Sequence, residues 1–166
     1  LPFGEWLPDL PDHMNPGSTQ AKNVFPAVNS YRPFKNISVT SSNATDARTQ
    51  GAKAFKSDSG VVSIFAGDAT KLYKLTSNAF VDESGGTTFS TDTNGYWDFI
   101  RFGEVVIAFN GANAPQAWTL DSSNDFAALG GSPPTFRHAA VIGNFVVTGF
   151  QPTLQNKVQW TSFNSP

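Results

Sequence analysis

The chain has no cysteine, which excludes disulfides and thiolate metal sites outright. It has little charge: 14 % of its 166 residues are acidic or basic, the formal net charge is −2, and no block of one sign occurs. Proteins that hold nucleic acid or anionic membranes electrostatically need a basic face, so that class is argued against. No apolar run approaches the roughly 18 residues of a membrane span. The opening Leu1-Pro2-Phe3-Gly4-Glu5-Trp6 shows neither the basic nor the apolar region of a signal peptide. A Gly-x-Ser-x-Gly elbow, a phosphate-cradling glycine loop and a His-Glu-x-x-His pattern are also missing.

What is abundant is polar but neutral. Ser, Thr and Asn supply 44 residues, and their side chains hydrogen-bond without charge, which suits a surface that contacts proteins or sugars without attracting DNA. Among them runs one pattern, written three times. Ala52-Lys53-Ala54-Phe55, a polar turn, Val61-Val62-Ser63-Ile64-Phe65 and Leu72-Tyr73-Lys74-Leu75 form the first unit. Trp97-Asp98-Phe99-Ile100, a turn at Gly103-Glu104, Val105-Val106-Ile107-Ala108-Phe109 and Ala117-Trp118-Thr119-Leu120 form the second. His138-Ala139-Ala140-Val141, a turn at Gly143-Asn144, Phe145-Val146-Val147 and Val158-Gln159-Trp160-Thr161 form the third. Val61, Val105 and Phe145 are spaced by 44 and 40 residues; Tyr73, Trp118 and Trp160 by 45 and 42. A period near forty, built of short strands with a late aromatic, marks β-propeller blades.

The fold expected is therefore all-β: a partial β-propeller of about three antiparallel, four-stranded-type blades, spanning about 46–90, 91–131 and 132–166, after an N-terminal arm over 1–45. Phe65, Tyr73, Phe109, Trp118, Phe145 and Trp160 are its repeated core aromatics. Val105–Phe109 and Phe145–Val147 are apolar at consecutive positions, so both strands should be covered on both faces. Lys71–Thr76 alternates and should keep a wet face. Gly103-Glu104 and Gly143-Asn144 suit two-residue hairpin turns. Phe109→Ala should cost about 3–5 kcal/mol, a substitution at Ser123 almost nothing.

Six of the 11 prolines fall in the first 33 residues, which rules out helix and central strand there. Yet the segment is rich in large apolar groups. An extended arm that plugs its aromatics into a surface, its own domain's or a neighbour's, reconciles the two, with Phe3, Trp6, Leu7, Asn15, Pro16, Gly17, Phe25, Tyr31 and Phe34 as candidate subunit contacts. Asn15-Pro16-Gly17 should be a tight turn whose glycine takes positive φ, and a short helical turn fits 18–23. Three blades cannot close a ring, because propellers close with roughly four to eight. Either further units follow or other subunits complete it; the first is the expectation.

Candidates for chemistry are few. His138 beside Arg137 reads as a structural histidine, and His13 stands far away in sequence. Asp82 with Glu83, or Asp98 with Glu104, could be nominated as paired carboxylates, but carboxylates at strand ends are usually solvated. Asp92-Thr93-Asn94-Gly95 is a fragment of a calcium loop without its distal glutamate and reads as a turn. The sequons Asn36-Ile37-Ser38 and Asn43-Ala44-Thr45 arise easily in so Asn-, Ser- and Thr-rich a chain. No catalytic residue, metal or cofactor is expected.

The opening Phe3-Gly4-Glu5-Trp6-Leu7-Pro8-Asp9, with Asn15-Pro16-Gly17, Ala21-x-Asn23-Val24-x-Pro26 and Tyr31-Arg32-Pro33-Phe34, resembles the start of a family of bacteriophage tail proteins. Phe65-Ala66-Gly67-Asp68-Ala69-Thr70-Lys71-Leu72-Tyr73, Gly131-Ser132-Pro133-Pro134-x-x-Arg137-His138 and Val158-Gln159-Trp160-Thr161 extend the likeness over most of the chain. The family is that of the tail hub or nozzle proteins of short-tailed phages, which carry β-propeller domains and form rings below the portal. The resemblance implies a structural virion subunit, not an enzyme. Its partners would be copies of itself and adaptor, fibre or spike proteins, with the genome passing through unbound. Family members are much longer, so the chain is expected to be an N-terminal part. The alternative is a carbohydrate-binding, lectin-like propeller, which requires Trp97 or Trp118 to be exposed. A propeller glycosidase would need clustered carboxylates, which the sequence does not show.

Overall fold

A computed structural model describes residues 5–28, 30–35, 38–91 and 95–166. Phe3 of the candidate arm contacts, Asn36 and Ile37 of the first sequon, and Asp92-Thr93-Asn94 of the loop fragment lie outside the described residues. The chain divides into two compact units, 1–39 and 40–166. Among the described residues the structure is all-β, with four small antiparallel sheets, a single 3₁₀ turn at Asp12–Met14, no α-helix, and no closed barrel or closed propeller.

The proline-rich segment, expected as an extended arm, carries a hairpin of β1 (Val24–Ala27) and β2 (Ser30–Pro33). Pro26 and Pro33 both sit within it. A two-stranded ladder has no central strand, so each proline can turn its missing donor to a free edge. The helical turn fitted to 18–23 does not form; the only helical turn described here is Asp12–Met14. Asn15-Pro16-Gly17 does turn, with the Gly17 N–H donating to Asn15 Oδ1 at 2.8 Å. The expectation of a positive φ at Gly17 is corrected, since Gly17 is not among the residues with positive φ. Glycine is required there for space: a Cβ would stand 2.1 Å from the Glu5 carbonyl oxygen, which accepts from the Ser18 N–H.

The second unit is three meanders in succession. The first sheet orders β3 (Gly51–Lys56), β4 (Val62–Gly67), β5 (Leu72–Thr76) and β6 (Ala79–Asp82). The second orders β7 (Asp98–Phe102), β8 (Val105–Phe109), β9 (Gln116–Thr119) and the two-residue β10 (Ala127–Ala128). The third has β11 (His138–Ile142), β12 (Phe145–Gln151) and β13 (Leu154–Trp160). Gly103 and Gly143 take φ of 56° and 58° as first residues of their two-residue turns, the position where a II′ turn requires it. Ser77-Asn78 joins β5 to β6 with positive φ at both residues, the I′ form. Residues 42 and 43, placed in the arm by sequence, hydrogen-bond to Asn78 and Phe80 of this first sheet region.

Two cores lie between the three sheets. Phe65 and Leu72 of the first sheet meet Phe99, Val106 and Trp118 of the second, closed by Phe89, Trp97 and Phe126. The opposite face of the second sheet, with Ile100, Phe102, Ile107 and Phe109, meets Val146 of the third and the preceding Phe136. Side chains alternate between faces along each strand, so one sheet can serve both cores. Between sheets the first strands come closest, β3 to β7 and β7 to β11. On the outer side of the second seam a groove opens, lined by Pro133, Phe136, Thr148, Gln159 and Pro166. The sheets thus spread from their first strands.

Several burial expectations need correction. β8 is covered on both faces, but in β12 only Val146 of Phe145–Val147 is buried, because among the described residues no sheet lies beyond it. Leu72 and Tyr73 are both buried, and Lys74 is half-buried over the Trp118 ring at 4.8 Å, so the wet face expected for β5 is covered. Ser123 is not idle: its hydroxyl accepts the Thr119 N–H at 2.9 Å.

Candidate functional site

Because the sheets stack by covering one another, the informative surfaces are those left uncovered at the two ends of the stack. Register defines them. In the third sheet Ala140, Val147 and Trp160 are cross-strand partners and share a face, and Ile142 pairs with Phe145 beside them. Trp160 is 70 % exposed and Ile142 61 %, and the Phe145 ring meets the exposed Phe163 edge-on at 5.8 Å. Ile142, Phe145, Val147 and Trp160 border one shallow depression. This is a continuous apolar face that no sheet of the described residues covers.

At the other end, the outer face of the first sheet carries Ala52, Ala54, Val62 and Ile64 in two adjacent strands, with Val62 60 % exposed. Tyr73 and Phe80, farther across that face, are held by the preceding segment. Asn43 Nδ2 donates to the Phe80 carbonyl and Asn43 Oδ1 accepts the Phe80 N–H, so this sequon asparagine acts as a short strand.

A buried acid supports that corner. Asp68 is fully buried, and its carboxylate accepts from the N–H groups of Thr70, Lys71 and Ala47 and from the Tyr73 hydroxyl at 2.8 Å. Burial works against its charge, but these donors outweigh it and hold the carboxyl below its usual value. Burial, with Asp68 and Asp46 beside it, pushes the Tyr73 phenol up to about 12, against the Asp46 N–H that favours the ionised oxygen. The Trp97 indole N–H donates to the Asp68 carbonyl at 2.8 Å, tying the second unit of the repeat to the first. Sequence reading missed this node. Its signal was the Asp68-Ala69-Thr70 turn, in which an aspartate caps the amide two residues on.

The predicted residues separate cleanly. Phe65, Tyr73, Phe109 and Trp118 are buried core aromatics; Phe145 is half-buried. Trp160, expected in the core, lies on the open face, because it pairs with Val147 on the side of the third sheet away from the second, where no sheet of the described residues covers it. Of the arm residues, Phe25 and Phe34 stack at 4.8 Å yet remain about half exposed, Trp6 is exposed, and Asn15 Nδ2 donates to the Leu7 carbonyl. Leu7, Gly17 and Tyr31 are half-buried and Pro16 is exposed.

Three of the four nominated carboxylates are engaged in ion pairs. Asp82 sits 3.1 Å from Lys71, Asp98 is 3.6 Å from Lys53, and Glu104 pairs with Arg101. Glu83 titrates above its usual value through burial and the nearby Asp125. His138 packs edge-on against Phe150. Trp97 and Trp118, which a sugar-stacking surface would need exposed, are 3 % and 1 % exposed. No protein-family model matches the chain, and no curated protein does.

Proposed function

We propose that the chain is a structural protein of a phage tail, a hub or nozzle ring subunit whose work is mechanical. The carrying observation is the stack of three small antiparallel sheets, closest at their first strands and ending in an uncovered apolar face. That arrangement supports reading the sheets as blades of a partial propeller. The likeness of the opening segment and of the 65–73 stretch supplies the tail assignment. A low and mixed charge suits a channel wall that genome must pass without sticking. The exposed Trp6, Phe25 and Phe34 are the contacts we assign to neighbouring subunits or to the adaptor, fibre or spike proteins that dock on the ring. The buried Trp97 and Trp118 weigh against the lectin-like alternative.

Two measurements test this. Peptides of the chain should be found in gradient-purified tailed particles at the stoichiometry of a tail ring; particles without them overturn the virion reading. Deleting residues 1–34 should leave a folded 40–166 unit that no longer assembles into rings under the electron microscope. Rings formed by the truncated protein overturn the role given to the N-terminal aromatics.

A further inference from the structure

We infer that Asn110 is a modification site: the turn after β8 is built for a carboxylate, and the Asn110-Gly111 step deamidates to supply one. The inference does not depend on the tail assignment. Two like turns carry it. In the first sheet Asp68 follows β4, and its carboxylate accepts the N–H groups of Thr70 and Lys71, two and three residues on, both at 2.8 Å. Asn110 follows β8 in the same place, and its Oδ1 accepts from Ala112 at 3.0 Å and Asn113 at 2.9 Å. Those donors fix which atom is oxygen, since a flipped amide would set its own N–H groups against them. At Asp68 the second oxygen is also used, by the Ala47 N–H and the Tyr73 hydroxyl. At Asn110 the second position holds a donor instead: the residue is 6 % exposed, and its buried Nδ2 meets no acceptor among the described residues. A cation stands beside it. A Cβ on Gly111 would run into Arg137 Cγ and lie 3.2 Å from Arg137 Nε, and Arg137 pairs with no acid among the described residues.

The residue that follows makes the conversion feasible. Gly111 has no Cβ to hinder ring closure, takes a φ of 78°, and donates its N–H to no other group among the described residues. Its nitrogen gives up a proton to water and attacks Asn110 Cγ, forming a C–N bond. Charge grows on Oδ1, where the Ala112 and Asn113 N–H groups already point. The Cγ–Nδ2 bond then breaks, and Nδ2, which no protein group holds, takes a proton and leaves as ammonia. One water opens the succinimide ring at Cγ and leaves an aspartate; nothing is oxidised or reduced. Opening at the backbone carbonyl would instead give isoaspartate, which lengthens the main chain where Gly111 packs on Arg137, so the folded chain yields aspartate. Burial opposes the new charge, as it does at Asp68, but the product loses an unpaired buried donor and gives Arg137 an acid.

Two measurements on the full chain test this. In the first, folded protein is held in warm, mildly alkaline buffer and mapped by peptide mass spectrometry, with isoaspartate scored by enzymatic methylation. Asn110 should be lost and aspartate gained in its place, while Asn113, which is followed by alanine, stays intact. An Asn110 that survives in the folded chain, or isoaspartate as the main product, overturns the inference. In the second, Asn110→Asp supplies the product directly. It should melt about 2–4 °C above freshly prepared wild type, a shift that a gain of about 1 kcal/mol gives in a chain of this size. Adding Arg137→Gln should remove most of that gain. An Asn110→Asp protein that melts at or below wild type, or that fails to fold, overturns the carboxylate reading of the turn, and a gain untouched by Arg137→Gln overturns the part given to Arg137. None of these outcomes touches the virion reading, which the particle peptides decide.

Discussion

The two seams of the second unit are built from the same repeat and differ in what holds them. The first buries ten side chains in one cluster, including Phe65, Phe99, Trp97 and Trp118, and the Phe65 ring lies within 5.3–6.5 Å of the Phe55, Phe99, Trp118 and Phe126 rings. Its turns are pinned together: Arg101 pairs with Asp58 at 2.6 Å and with Glu104, and Ser59 donates to Asp121 at 2.5 Å. The second buries six, with one ring pair, Phe109 and Phe136 at 4.9 Å, and no ion pair among the described residues. The seam between the first and second sheets therefore concentrates aromatic contact, while the one between the second and third is thinner. The difference comes from packing, since exposed pairs such as Arg101 with Asp58 are worth at most about 1 kcal/mol.

Mutations can break or sharpen that comparison. Phe65→Ala should cost about 4–5 kcal/mol and Phe109→Ala about 3–4, both within the range for deleting a buried phenylalanine, measured by urea unfolding of the same chain. A Phe109→Ala loss equal to or above that of Phe65→Ala would erase the distinction between seams. Asp68→Ala should come next, at about 2–3 kcal/mol, because three backbone donors and the Tyr73 hydroxyl lose their acceptor.

The same node gives a pH signature on the outer face of the first sheet. Tyr73 has a folded value of about 12 against 10.0 unperturbed, so the stability it contributes is whole below pH 10 and is lost as pH rises to 12. Tyr73→Phe should flatten the fall in melting temperature across that window, and an unchanged profile sinks the assignment. Ser123→Ala, which removes the acceptor for the Thr119 N–H, should cost about 0.5–1.5 kcal/mol. Smallest of all, Trp160→Ser on the open face should leave monomer stability within about 0.5 kcal/mol of wild type. A large loss there would mean that the face is covered within one chain.

Much of the architecture was legible because it is local. Glycine at the first position of a two-residue turn, flanked by β-branched runs, located the β7–β8 and β11–β12 hairpins to the residue. The fourth strands of the first two sheets were not seen. β6 follows a Ser-Asn turn rather than a Gly-containing one, and β10 is two alanines with no periodicity to read. Gly17 was assigned the right turn and the wrong reason, since a close approach by Glu5 leaves no trace near Gly17 in sequence. Of the late aromatics in the repeat, Tyr73 and Trp118 are buried and Trp160 is not: the sequence aligns Trp118 and Trp160, but register pairs Trp118 with Val106 toward the first sheet and Trp160 with Val147 on the face away from the second.

The order of residues by itself determined an all-β chain, the places where its strands turn, and the aromatics available to a core, because backbone propensity and side-chain alternation act over a few neighbours. Which of those aromatics were buried, which acid became a buried acceptor, and which faces stayed open were decided only when the sheets met. Those outcomes depend on whether another sheet lies on top, and coverage of that kind is a property of pairs of surfaces far apart in the chain.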